Sequence, residues 1–368
     1  MRVAILWSEI SGYMASCWRA LAALPGFEIE VIAFKPDGAK TNAAFDPSVV
    51  LKGIARHRLL DLSERENAGL IADHLAAFNP EAVSVVGWGH GPYRRVAMNP
   101  RFKTAGMVMA IDTPWRARAK QYVTRFAVKR FFDRMDIAVP AGERAWQYCR
   151  RLGFEEARIR RGLYAAETSR FTPVHDDRVK QGAEGWPRAF MFVGRYVDVK
   201  GIGTLLEAYS RYRASVSEPW ELLCCGMGVW GDRIRAAKGV RDLGFAQPDV
   251  LGERLAMAGC FVLASHYEPW GVALVEAMAT GMPVICTEQV GAAVEVVRTF
   301  HNGLMVPTAD AEAMARAMVW MHEHRDRLAG MGRHAREAAE AFGADVWAER
   351  WQDAFEAAAR VRRARTGV

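Results

Sequence analysis

Ser265-His266-Tyr267-Glu268-Pro269-Trp270-Gly271-Val272-Ala273-Leu274-Val275-Glu276-Ala277-Met278-Ala279-Thr280-Gly281 is the stretch on which the reading of this chain turns. The apolar run before it, 259–264, has the length and composition of a buried strand. Ser265 to Pro269 is a turn carrying a carboxylate. Trp270 to Thr280 reads as a helix, with Pro269 near its first turn and Gly281 just past its end. Met282 to Cys286 is the next apolar run. Strand, loop, helix, strand is a parallel α/β unit, and its loop lies at the carboxyl end of a strand, where open α/β sheets take their ligands.

The two glutamates occupy different places in that unit. Glu268 lies in the loop, and Glu276 lies about two helical turns further on, roughly 10 Å along the axis. Between them the helix start offers backbone N–H groups at Trp270, Gly271 and Val272, which with the helix dipole suit a phosphate. Gly271 has no side chain to obstruct a close approach. One ligand with hydroxyls at both ends and a phosphate in the middle, such as a sugar, a diphosphate and a ribose in a row, would meet all three points. The same spacing would also arise from a capping Glu268 and a helix-surface Glu276.

Glu268 and Glu276 form an E-x7-E signature, and Glu268-Pro269-Trp270-Gly271 through Glu276-Ala277-Met278-Ala279 resembles glycosyltransferase family 4, a group of retaining enzymes. The resemblance implies that Glu268 contacts the donor sugar and that Glu276 binds the ribose. A second stretch supports it. Gly194-Arg195-Tyr196-Val197-Asp198-Val199-Lys200-Gly201 follows a strand beginning near Arg188 and precedes an amphipathic helix from Ile202 to Arg213. It resembles the family's G-R-x4-K-G segment, in which the Arg and Lys bind the donor diphosphate. Cleaving a sugar–phosphate bond leaves extra negative charge on the leaving group, and the sequence contains no D-x-D triplet to hold a divalent metal. Fixed cations would then carry that charge, Arg195 as a fork of donors and Lys200 as a point charge. No metal and no cofactor is expected, the nucleotide-sugar being a co-substrate.

With 368 residues the chain has the length of two domains. Its 51% hydrophobic and 25% charged residues are ordinary for a soluble globular chain. No apolar run approaches a membrane span, and Val3 to Trp7 is too short for a signal-peptide core. The six cysteines lack C-x-x-C spacing and several sit in apolar runs, which reads as reduced core residues of a cytoplasmic protein. The net charge of +7 is uneven: residues 116–161 hold thirteen Lys or Arg and five Asp or Glu.

The first half alternates likewise. Strands are expected at Arg2–Trp7, Phe27–Phe34, Ala82–Val86 and Gly106–Ile111, with helices after Ser16 and around Glu64 to Phe78. Gly12, after the first strand, stands where the family's loop faces donor phosphate and acceptor, although it is also what an ordinary strand-to-helix turn contains. Where many members carry a histidine near the donor sugar, this chain has Asp112. That carboxylate is an acceptor-side candidate or a cap for the following segment. His90, in the loop Gly87-Trp88-Gly89-His90-Gly91, is the other acceptor-side candidate or a structural residue. Arg116 to Arg134 mixes basic and aromatic residues at helix-compatible spacing. It reads either as a face for an anionic membrane surface or acidic partner, or as a solvated helix face over a buried Phe stripe. No nucleic-acid-binding motif accompanies it.

The resemblance implies an α/β protein of GT-B type. Its two Rossmann-like domains would face each other across a cleft, with a C-terminal helix crossing back to the first. The boundaries expected are 1–173 for an acceptor domain, 174–186 for a linker, 187–344 for a nucleotide-sugar domain and 345–368 for the returning helix. The function implied is retaining transfer of a sugar to an acceptor hydroxyl, sugar or lipid-linked, in bacterial surface polysaccharide or glycolipid assembly. The place implied is the cytoplasm, or the inner face of the plasma membrane if the basic segment binds it. Other GT-B chemistries, a nucleotide-sugar epimerase or a phosphorylase, remain open as alternatives, as does a non-catalytic nucleotide-sugar-binding or membrane-docking subunit.

Overall fold

Short, mostly apolar runs, too short for helices and buried on both faces in the inner strands, form two parallel sheets, while the edge strands His57–Leu60 and Val240–Asp242 are more polar and more exposed. The computed structural model describes residues 1–36 and 44–367. The chain divides into one unit of Met1–Ala165 with Ala344–Val368 and a second of Ala166–Gly343.

In the first unit the strands are β1 (Arg2–Leu6), β2 (Glu28–Phe34), β3 (His57–Leu60), β4 (Ala82–Val86), β5 (Gly106–Ile111) and β6 (Ile137–Pro140). They are parallel and lie in the order β3-β2-β1-β4-β5-β6. The second unit repeats the plan with β7 (Ala189–Val193), β8 (Glu221–Cys225), β9 (Val240–Asp242), β10 (Cys260–Leu263), β11 (Val284–Thr287) and β12 (Gly303–Val306). Their order, β12-β11-β10-β7-β8-β9, is the same doubly wound arrangement. Each sheet reverses direction beside its first strand. The switch points, β1/β4 and β7/β10, are where ligands of such sheets bind.

The C-terminal helix Ala344–Thr366 belongs to the first unit and lies against β5 and the helix Gly12–Ala22. Two stacked indoles fasten its start, Trp347 donating to the Leu163 carbonyl (2.8 Å) and Trp351 to that of Gly162 (3.2 Å). Gly106 lets it approach β5, since a Cβ there would lie 2.6 Å from the Ala358 carbonyl carbon. Its end is held by Asp136, fully buried at the start of β6. That carboxylate accepts from the Met107 amide (2.9 Å) and pairs with Arg362 (2.8 Å), Arg365 (3.4 Å) and Arg134 (3.5 Å). One buried carboxylate thus holds three guanidinium groups from two parts of the chain. All six cysteines are buried, and no disulfide joins any two of them.

Several expectations need correction. The helix expected over Trp270–Thr280 runs only from Val272 to Ala279, because Gly271 takes the left-handed conformation and starts it two residues late. The stretch 174–186 contains most of the helix Thr172–Gln181, begun by Pro173 in its first turn and pinned where buried Arg178 donates to the Leu255 carbonyl (2.7 Å). Glu64 to Phe78 divides into a short 3₁₀ turn and the helix Ala68–Phe78, capped by the Asn67 side chain. Arg116–Arg134 is likewise two helices, Ala119–Ala127 and Lys129–Arg134.

Replacing Asp136 by Asn should cost about 3–5 kcal/mol, because the guanidinium groups lose their buried counter-charge. Replacing Arg360, an exposed residue whose carboxylate partners are 3.6 and 3.8 Å away, should change stability by less than about 0.5 kcal/mol. Urea denaturation of the two variants checks both values.

Candidate active site

The site grows from two loops at the β7/β10 switch point. The first follows β7 and contains Gly194, exposed Arg195, a 3₁₀ turn at Asp198–Lys200, and Gly201. The second follows β10 and contains His266, Tyr267 and Glu268. They are joined at one atom. The Val199 carbonyl accepts from the amides of His266 (2.9 Å) and Tyr267 (3.4 Å). Gly201 makes that closeness feasible: its φ is +68°, and a Cβ would sit 2.0 Å from the Ala264 carbonyl oxygen. His266 reinforces the joint through its Nε2, 2.9 Å from the Thr204 hydroxyl.

The consequence is an ion pair between Lys200 Nζ and Glu268 Oε2, side chains 16% and 12% exposed. Residues 68 apart in sequence are brought together at the carboxyl edge of the sheet. The Glu268 backbone is held from the other side by a third loop. Its carbonyl accepts from the Gly291 amide (3.0 Å), and the next bond, Ala292 to the Trp270 carbonyl, is 2.8 Å. Gly291 has no room for a side chain, since a Cβ would lie 2.0 Å from the Pro269 carbonyl oxygen.

Gly271, at φ +100°, forms the N-cap of the helix Val272–Ala279, and no side chain caps that helix start. A Cβ on Gly271 would lie 3.1 Å from Glu268 Cγ, so the uncapped turn lies beside the Lys200–Glu268 pair. Its first-turn amides belong to Val272 and Ala273, and an anion placed there would meet N–H groups, the helix dipole and an ammonium together. Trp270 precedes the helix, and its side chain is 2% exposed and packs on the Phe342 ring (5.5 Å).

Glu276 lies on the second turn of the same helix. Burial pushes its carboxyl up to about 7; Arg170 works against that shift and Glu167 adds to it. Arg170 and Glu167, themselves paired at 2.6 Å, were not picked out from the sequence. They precede the second domain's first strand, and only the folded chain brings them near Glu276. His266 and Thr204 were also missed. His266 lies two residues before Glu268 in the same loop, whereas nothing local to Thr204 marks it in the sequence.

The loops after β8 and β9 complete this edge. The Tyr196 hydroxyl donates to Asp242 (2.8 Å), and the Tyr196 amide donates to the Met227 carbonyl (2.7 Å). Burial, then the bond to Asp242, raises the phenol well above its usual range.

The first unit has its own candidates. Gly12 opens the helix Gly12–Ala22, whose N-cap is Ser11. Asp112, just past β5, accepts from the Tyr164 hydroxyl (3.0 Å), and that ring meets Trp7 and Tyr13 edge-on. His90 caps the helix Gly91–Ala97 by accepting from the Tyr93 amide (3.4 Å), and packs against Phe34 and Tyr93. Burial lowers its pKa, only partly offset by Glu66. Asp112 and His90 therefore have different surroundings.

Two doubly wound sheets with loops gathered at a switch point define a GT-B type fold. Sucrose-phosphate synthase from Thermosynechococcus elongatus has this fold over 96% of this chain and 98% of its own, with TM-score 0.73 and 19% identity. So does Anabaena HepE, solved with UDP and glucose, over 95% and 98%, with TM-score 0.71 and 15% identity. Residues 174–338, most of the second unit, match the family model described as glycosyl transferases group 1. A lipopolysaccharide core biosynthesis glycosyltransferase, LpsE of Rhizobium meliloti, is 34% identical over 42% of this chain and 46% of its own length. A putative colanic acid biosynthesis glycosyltransferase, WcaL of Escherichia coli, is 28% identical over 65% of this chain. The chain spans 60% of that relative and about half of LpsE.

The raised Glu276 carboxyl has a stability signature. The folded chain holds its proton between about pH 4.5 and 7 while the unfolded chain releases it, so stability falls as pH rises through that window. Glu276→Gln removes the cost. Its stability relative to wild type should climb from pH 4.5 to 7 and level off above, by on the order of 2 kcal/mol. A difference that stays flat from pH 4.5 to 8 in denaturation curves would show an unperturbed carboxyl.

Proposed function

We propose that this protein is a retaining glycosyltransferase that moves a sugar from a nucleotide-sugar to an acceptor hydroxyl in the assembly of bacterial surface polysaccharide or lipopolysaccharide. The observation that carries this reading is the Lys200–Glu268 ion pair beside the uncapped start of the helix Val272–Ala279. The names of LpsE and WcaL support the pathway class.

In this mechanism the diphosphate lies on the amides of Val272 and Ala273. Lys200 turns from Glu268 to the phosphate oxygens, and exposed Arg195 supplies a second cation. As the bond between the anomeric carbon and the phosphate oxygen breaks, these groups stabilise the charge that develops on the leaving diphosphate. Glu268, released from Lys200, holds donor-sugar hydroxyls, and its negative charge favours the oxocarbenium-like state. The acceptor oxygen attacks from the face the phosphate leaves, and the departing phosphate takes the acceptor's proton, so configuration is kept. Glu276 accepts from the ribose hydroxyls. In the first unit Asp112, oriented by Tyr164, is the acceptor-side group.

Calorimetric titration with UDP, GDP, ADP and dTDP tests the donor site. One nucleotide should bind, and Lys200→Ala should weaken it roughly 10- to 100-fold, the worth of charge-assisted hydrogen bonds. Glu268→Gln should keep nucleotide affinity within about threefold and lose turnover, because its role is at the sugar. No binding of any of the four at millimolar concentration would sink the reading. A product of inverted anomeric configuration by proton NMR would remove its retaining part.

A further inference from the structure

The helix Ala119–Ala127 in the first unit is built inside out. Seen down its axis at about 100° per residue, Tyr122, Phe126, Ala119 and Val123 fall on one side, and Gln121 and Thr124 fall on the other. In an ordinary surface helix the apolar side would be buried. Here Thr124 is buried, its hydroxyl bonded to the Lys120 carbonyl (2.8 Å). Gln121 is turned inward too, accepting from the Arg116 amide (2.8 Å) and donating to the Pro114 carbonyl (2.8 Å). The apolar side faces out: Phe126 is 75% exposed, Tyr122 and Val123 58% each.

The flanks of that apolar stripe are basic. Lys120 lies along one edge and Arg125 along the other, both exposed, and Arg116, Arg118, Lys129 and Arg130 are exposed on either side in sequence. The segment 116–134 contains seven Lys or Arg and a single acid, Asp133, which is paired with Lys129 (2.6 Å). A central aromatic stripe with cations along both edges matches the interface of a bilayer, where rings enter the acyl boundary and cations meet lipid phosphates. A protein partner of the same affinity would have to supply an acidic rim around an apolar pocket. Among the described residues no helix is long and apolar enough to cross a membrane, so attachment by this face would be peripheral.

We propose that the helix Ala119–Ala127 docks the first unit on an anionic phospholipid surface, with Phe126, Tyr122 and Val123 inserted and Lys120, Arg125, Lys129 and Arg130 on the headgroup phosphates. This goes beyond the donor-site reading and does not depend on it. Such a surface would keep the protein where an acceptor carried on a lipid would be presented.

Vesicle co-sedimentation tests it, with the full chain and two lipid mixtures, phosphatidylglycerol with phosphatidylethanolamine and pure phosphatidylcholine. The wild type should bind the anionic vesicles, bind phosphatidylcholine at least tenfold less, and lose affinity as salt rises. Phe126→Asp with Tyr122→Asp should reduce binding to anionic vesicles more than tenfold. Lys120→Ala with Arg125→Ala should reduce it roughly 25-fold, about fivefold per cation. Unchanged melting temperatures, and nucleotide affinities equal to wild type, would show that these variants fold and that the loss is confined to the lipid surface. Wild-type protein that leaves anionic vesicles unbound, or aspartate variants that bind them as well as wild type, would overturn the proposal. Self-association abolished by Phe126→Asp without vesicle binding would overturn it in favour of a second copy of the chain.

Discussion

The Val199 carbonyl oxygen, shared by the amides of His266 and Tyr267, is the constraint on which the second domain's functional edge depends. It makes two loops from neighbouring strands into one rigid piece, and the Lys200–Glu268 ion pair follows from it. A salt bridge with both partners mostly buried is a poor source of net stability, since each ion has lost much of its water. In the proposed mechanism its value lies in holding an ammonium and a carboxylate ready beside an uncapped helix start. A ligand that brings both phosphates and hydroxyls can divide the pair between them without leaving either charge unpaired.

Glycines set the spacing of this edge. Gly201, Gly271 and Gly291 each stand where a Cβ would meet backbone or a branched side chain at 2.0–2.9 Å, and the first two also need positive φ. They bring three loops into contact, those after β7, β10 and β11. Asp136 serves the first unit in a comparable way. It is fully buried, with its negative charge balanced by arginines on the C-terminal helix and the Lys129–Arg134 helix, so a distant part of the chain completes the sheet's packing.

The half-buried carboxyl of Glu276 shows a different kind of dependence. Helix position alone would allow it a surface role with an ordinary acidity. The folded domain takes most of its carboxyl out of water and places the Arg170–Glu167 pair close by, which raises its pKa to about 7. The helix Ala119–Ala127 shows the same lesson on the surface. Its residues could have formed a conventional amphipathic helix, and the contacts of Gln121 and Thr124 decided which side met the protein.

The alternation of short apolar runs with amphipathic segments was enough to predict an α/β chain with parallel sheets, because strand and helix periods are local properties. The E-x7-E and G-R-x4-K-G stretches were equally legible, since each motif lies within nine residues and its loop-then-helix setting can be read from neighbouring Gly and Pro. Helix ends were less so: Gly271's left-handed turn displaced one start, and the contacts of Arg178 kept 174–186 from being a plain linker. His57–Leu60 was missed as a strand, being short and carrying two polar residues. Which loops meet, which carboxyl titrates near pH 7 and which side of a helix faces water were decided by tertiary structure alone. Those depend on residues tens to hundreds of positions apart, and on burial, which exists only once the chain has folded.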